Sequence, residues 1–76
     1  MSQPDLDVDL LRSFLAVAET GGFTTAGERL GRTQSAISVK IRRLEESLGR
    51  RGFARTSRAL ALTADGELLL GYARRM

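Results

Sequence analysis

Residues 24–49 read TTAGERLGRTQSAISVKIRRLEESLG, and this stretch decides the fold. Thr24 and Thr33 are residues of the N-cap type, whose hydroxyl accepts from a free N–H of the following first turn. Gly31 and Gly49 are residues of the type that ends a helix in the left-handed conformation. The stretch therefore predicts a short helix at 25–30 and a longer one at 34–48, separated by residues 31–33. Two helices joined by a three-residue turn containing Gly make a helix-turn-helix. Ala26 and Gly27 are small enough for a close crossing, and Leu30, Ile37 and Ile41 fill the angle between the helices.

With Ile37 at 0° and steps of about 100° per residue, Ile41, Leu44 and Leu48 fall within about 40° of it, which defines a buried stripe. Ser35, Val39, Arg42 and Arg43 point away from that stripe, and Gln34 and Ser38 sit on its flank near the helix start. Short polar residues at a helix tip, Arg behind them and free first-turn N–H groups suit a helix that reads base edges in a major groove. The plainer alternative is a solvated polar face. Val39 is either an ordinary exposed valine or a contact for a thymine methyl.

On the N-terminal side, Leu10, Phe14 and Val17 recur at helical spacing, widened by Leu11, Leu15 and Ala18, and predict a helix at 9–20 that Gly21-Gly22 ends. Asp5, Asp7 and Asp9 lie at or before its first turn, where the helix dipole favours acids. A calcium loop is excluded, because it needs Gly where Leu10 stands and Glu where Ala16 stands. On the C-terminal side, residues 53–62 alternate around a Thr-Ser tip and predict a small hairpin, or wing. Leu60 and Leu62 share the core face, while Arg55 and Arg58 flank the tip, either on a phosphate backbone or minor groove or as plain surface charges. Thr63 caps a fourth helix with Asp65 and Glu67 in its first turn. Its apolar residues Leu68, Leu69, Leu70, Tyr72, Ala73 and Met76 exceed one stripe, so one side is expected on the first helix and the other on a partner chain, through Leu69, Tyr72, Ala73 and Met76. The end at Arg74-Arg75-Met76 has no C-cap signal and suggests a chain cut from a longer protein.

The 76 residues contain no Cys and no His, which excludes disulfides, thiolate or imidazole metal sites and nucleophile–imidazole pairs. Glu45-Glu46 is no catalytic pair, since helix neighbours point about 100° apart; both are expected in solvent or beside nearby Arg. No enzyme, cofactor or metal is expected. No apolar run approaches the roughly 20 residues of a membrane helix, and no secretory signal opens the chain, so a cytoplasmic protein is expected. The formal net charge of +3 is unevenly spread: −4 over residues 1–28, +7 over 29–58 and zero over 59–76. Eleven of the twelve cations are Arg, whose planar fork suits phosphates and base edges, so a polyanion is the favoured partner for the basic block. Two other readings stand beside this one. Gly49-Arg50-Arg51-Gly52 matches the G-x-x-G loop of KH domains that bind single-stranded nucleic acid, and a helix-turn-helix can serve as a docking or dimerisation scaffold alone.

Leu11-x-x-Phe14, Gly22-Phe23-Thr24-x-Ala26, Leu30-x-x-Thr33-Gln34-Ser35-Ala36-Ile37-Ser38, Ile41-x-x-Leu44-Glu45-x-x-Leu48-Gly49, Phe53-x-Arg55 and Leu62-Thr63-x-x-Gly66 together resemble the N-terminal winged helix-turn-helix of LysR-type bacterial transcriptional regulators. The resemblance spans residues 8–76. It implies a mainly α fold, with a three-helix core and two-stranded wing over residues 1–62 and the start of a linker helix at 63–76. It also implies double-stranded DNA as partner, read as a homodimer on a partly palindromic operator. Gln34, Ser35, Ser38, Val39 and Arg42 would face bases; Thr24, Thr33, Arg43, Arg55, Ser57 and Arg58 would hold phosphates and the wing contacts. A further C-terminal domain would bind a small-molecule effector and make tetramers. Two positions depart from the pattern. Ala26-Gly27 replaces Ala-Ala, a mild loss of about 1 kcal/mol in helix propensity. Gly52 replaces a large aliphatic residue, which predicts a gap beneath the wing and a more stable Gly52→Leu variant.

Overall fold

A computed structural model describes residues 8–55 and 60–75, with Arg55 described by its backbone alone. The chain folds as α1 (Val8–Thr20), α2 (Phe23–Leu30), α3 (Gln34–Leu48), β1 (Phe53–Arg55), β2 (Leu60–Leu62) and α4 (Ala64–Arg74). Helix α1 is the hub, packing against α2, α3 and α4. Its Leu11, Phe14 and Val17 are fully or almost fully buried, and they meet Ile37, Ile41 and Leu44 of α3 in one core. Ser13 is the buried polar residue there; its hydroxyl donates to the Asp9 carbonyl at 3.0 Å, so no orphaned donor results.

Local signals set the ends of α3. The Thr33 hydroxyl accepts from Ala36 N–H at 3.1 Å, and Gly49 closes the helix at φ 69°, with Arg50 N–H returning to the Glu45 carbonyl at 3.2 Å. Thr63 caps α4 in the same way, accepting from Gly66 N–H at 2.9 Å. The start of α2 differs from expectation. Gly22 is its N-cap and has no side-chain cap bond, so Thr24 lies inside the first turn. The helix begins earlier than predicted, taking in Phe23, whose ring meets that of Phe53 at 6.4 Å.

The turn between α2 and α3 uses Gly27 more than helix propensity indicates. A Cβ there would lie 2.5 Å from the Arg32 carbonyl oxygen. The missing methyl is thus space the turn occupies. Leu48, expected in the buried stripe, is 38% exposed at the last turn of α3.

The strands pair antiparallel, with Phe53 opposite Leu62, Ala54 opposite Ala61 and Arg55 opposite Leu60. Leu60 and Leu62 are half-buried and Ala61 is exposed, as the alternation predicts. The gap expected at Gly52 is not there. Gly52 is buried, and a Cβ on it would stand 2.7 Å from Cε1 of Phe14, a ring wholly enclosed by the core. The Phe14 and Phe53 rings lie 4.9 Å apart, and Phe14 fills the volume a larger residue at 52 would take. No helix among the described residues is long and apolar enough to cross a membrane.

Candidate nucleic-acid interface

The outer face of α3 presents Gln34, Ser35, Val39, Arg42 and Arg43 to solvent, and Ser38 lies half-buried on its flank. Val39 is 45% exposed. The buried side of the same helix is held by Ile37, Ile41 and Leu44, so the outward residues sit on a fixed rod. Thr33 is exposed at the tip; its oxygen caps the helix while its O–H remains able to donate outward. Thr24 is exposed on the first turn of α2. The backbone of Arg55 ends β1, while the Arg55 side chain, Ser57 and Arg58 lie outside the described residues.

Ion pairing divides the cations of the basic block. Arg29 pairs with Glu19 at 3.0 Å, Arg50 with Asp65 at 3.6 Å and Arg51 with Glu45 at 4.0 Å. Lys40, the single lysine, and Arg32 both meet Asp9 across the α1–α3 junction, Arg32 at 3.2 Å. The Lys40 hydrogen bond holds the Asp9 carboxyl below the usual carboxylate range, outweighing the opposing effect of burial, and Arg32 and Arg12 add to it. Arg42 and Arg43 on the outer face of α3 have no ion pair among the described residues. Among the described cations of the basic block, the unpaired ones therefore lie on the outer face of α3, behind the polar tip.

Glu45 has a role that its sequence context did not signal. Its side chain is only 16% exposed, and its Oε2 accepts from the N–H groups of Gly52 at 2.8 Å and Phe53 at 3.2 Å. Glu46, in contrast, is exposed. Between the second half of α3 and the root of the wing runs an open groove of about 440 Å³, lined by Ser38, Arg42 and Glu45 among others.

Two expectations need correction. Ala73 is 2% exposed and belongs to the core of this chain, with Leu69 packed beside it. Leu69, Leu70 and Ala73 form the inward stripe of α4, and its outward apolar residues are Leu68, 75% exposed, and Tyr72, 49% exposed. Met76 lies outside the described residues. The KH reading fails on the glycines it needs: Gly49 is the cap of α3 and Gly52 is buried against Phe14, so neither belongs to a free clamp loop.

Residues 8–67 match the family described as bacterial regulatory helix-turn-helix proteins, lysR family. The chain belongs to the LysR family. It is 46% identical over 71 residues to the HTH-type transcriptional regulator DgdR of Burkholderia cepacia, covering 93% of this chain and 24% of that protein. To the regulator PecT of Dickeya dadantii it is 47% identical over 72 residues, covering 95% and 23%. The chain thus spans about a quarter of the length of these curated relatives. Among solved structures, a CbnR DNA-binding domain in complex with DNA matches with a TM-score of 0.87 and 37% identity, covering 92% of this chain and 80% of that one. A BenM DNA-binding domain on the benA site 1 DNA matches with a TM-score of 0.87 and 36% identity, covering 92% and 79%. The LysR fold, a mainly helical winged helix-turn-helix, is the fold described above.

Proposed function

We propose that this chain is the sequence-specific DNA-binding domain of a LysR-type transcriptional regulator and acts without catalysing a reaction. The tip of α3 enters the major groove with Gln34, Ser35, Ser38, Val39 and Arg42 toward base edges. Thr24, Thr33 and Arg43 hold phosphates, and the wing adds Arg55, Ser57 and Arg58. The observation that carries this reading is the sorting of charge: five cations of the basic block are compensated within the chain, while Arg42 and Arg43 stand unpaired among the described residues, beside an exposed polar helix tip. Two copies would pair through the outward face of α4, around Leu68 and Tyr72, to span two half-sites in the bacterial cytoplasm. The full-length regulator would carry its small-molecule effector site in a further domain.

Selection of duplexes from a random pool, followed by affinity measurements at several salt concentrations, tests this. Arg43→Ala should weaken binding to all sequences alike and make the slope of log affinity against log salt shallower by about 1. Gln34→Ala should relax preference at one position, by about 1–3 kcal/mol for a good bidentate contact. Base preference altered by Arg43→Ala and untouched by Gln34→Ala would reverse these roles.

A further inference from the structure

The root of the wing is a junction of three elements. The Gly52 N–H donates to Glu45 of α3 at 2.8 Å, and the Gly52 carbonyl accepts from Thr63 N–H, at the start of α4, at 3.1 Å. The Thr63 hydroxyl also donates to the Arg51 carbonyl at 2.5 Å. A Cβ at Gly66 would overlap the Gly52 carbonyl, so the first turn of α4 rests directly on this peptide. The wing is thereby closed at its base by backbone groups, and the bond that ties this base to α3 comes from one carboxylate oxygen shared by two converging N–H groups.

We infer that Glu45 is a positioning residue for DNA recognition: it sets the wing at a fixed distance and angle from the reading helix, so that both reach one duplex together. The inference rests on the functional reading above and adds to it a residue that touches no DNA. A carboxylate oxygen has lone pairs for both N–H groups and accepts them with charge assistance. Glutamine retains one acceptor oxygen, but loses the charge and turns its NH2 group toward the Arg51 guanidinium, which lies 4.0 Å from Oε1. Alanine leaves the N–H groups of buried Gly52 and Phe53 without this partner. Alanine removes this tie between the wing and α3 and glutamine weakens it, while the buried stripe Ile37, Ile41 and Leu44 still seats that helix.

The test compares the unsubstituted chain with Glu45→Gln and Glu45→Ala on a duplex selected by the unsubstituted chain, below the melting temperature of each. Hydroxyl-radical footprinting reads the backbone positions, and binding across a salt series reads how many phosphates are neutralised. Glu45→Ala should lose the protections assigned to the wing, keep those of α3 and its base preference, and show a salt slope shallower by about 1 for each phosphate the wing no longer holds. Glu45→Gln should fall between the two. Loss of affinity with an unchanged footprint pattern and unchanged salt slope would mean that Glu45 only stabilises the fold, and would overturn the inference. If Glu45→Ala does not fold, an unchanged pattern in Glu45→Gln overturns it equally. Failure of the unsubstituted chain to bind any duplex would instead overturn the functional reading, and this one with it.

Discussion

Helix α3 is anchored by side chains: Ile37, Ile41 and Leu44 sink into the core against α1, and Thr33 and Gly49 fix its two ends. The wing has one fully sunk side chain, Phe53, and leans otherwise on main-chain groups at its root: Gly52 offers its N–H to α3 and its carbonyl to Thr63, and its missing side chain leaves room for Phe14. Apolar burial scales with area and tolerates adjustment, whereas a junction of hydrogen bonds and close backbone contacts depends on geometry. The reading helix and the wing are thus built to fail in different ways. Truncating Ile37 to Ala should cost about 2–5 kcal/mol, as removal of fully buried methyl groups does, seen as a lower urea midpoint. The same change at half-buried Leu60 should cost clearly less. Equal losses would mean that the second strand is held by apolar burial as firmly as α3 is.

Adding atoms sharpens the contrast. Gly52→Leu should lower the melting temperature, because the new side chain collides with the enclosed Phe14 ring and overpacking costs typically about 1–3 kcal/mol. For a domain of this size that is a drop of roughly 4–8 °C per kcal/mol. A melting temperature that is unchanged or higher would show that Phe14 gives way freely.

Gly52 also shows what is legible in the sequence and what is not. The bounds of α3 are readable because a cap acts within three or four residues, and its buried stripe because helical period is local. Gly52 reads as a gap because Phe14, which occupies the space, arrives from another helix. Glu45 gives no signal because its partners are backbone N–H groups, which almost every residue has. The inward side of α4 is ambiguous because Leu68 to Ala73 are apolar nearly all round, and only α1 decides that Leu69 and Ala73 face in while Leu68 and Tyr72 face out. The polar tip of α3 is legible for the opposite reason: an amphipathic helix states both of its faces at once.

A smaller effect is expected at the cap. Thr33→Ala removes the acceptor for Ala36 N–H and should cost about 1 kcal/mol in urea denaturation, with Thr33→Ser restoring most of it. Because Gly22 caps α2 without a side chain, Thr24→Ala should leave stability within about 0.5 kcal/mol of the unsubstituted chain. The two threonines look alike in sequence, and this pair of variants separates them.

The smallest effect concerns the two cations that Asp9 engages. Asp9 holds Lys40 and Arg32, and its carboxyl lies below its ordinary value of 3.8 in the folded chain. A depressed carboxyl favours the folded state fully above its unfolded value, and that contribution is lost as pH falls through the folded value. Acidification from about pH 6 to about pH 3 should therefore destabilise the unsubstituted chain more than Asp9→Asn, with a difference of at most about 1 kcal/mol, since the pair is partly exposed and screened by salt. The same variant has a second consequence at neutral pH. Freed from Asp9, Lys40 and Arg32 become available to phosphates, so binding to arbitrary duplexes should strengthen and its salt slope steepen. Base preference, which Lys40 does not carry, should stay put. An unchanged salt slope in Asp9→Asn would mean that these two cations point away from the duplex whatever their pairing, and that the division of charge across α3 is set by helix orientation alone.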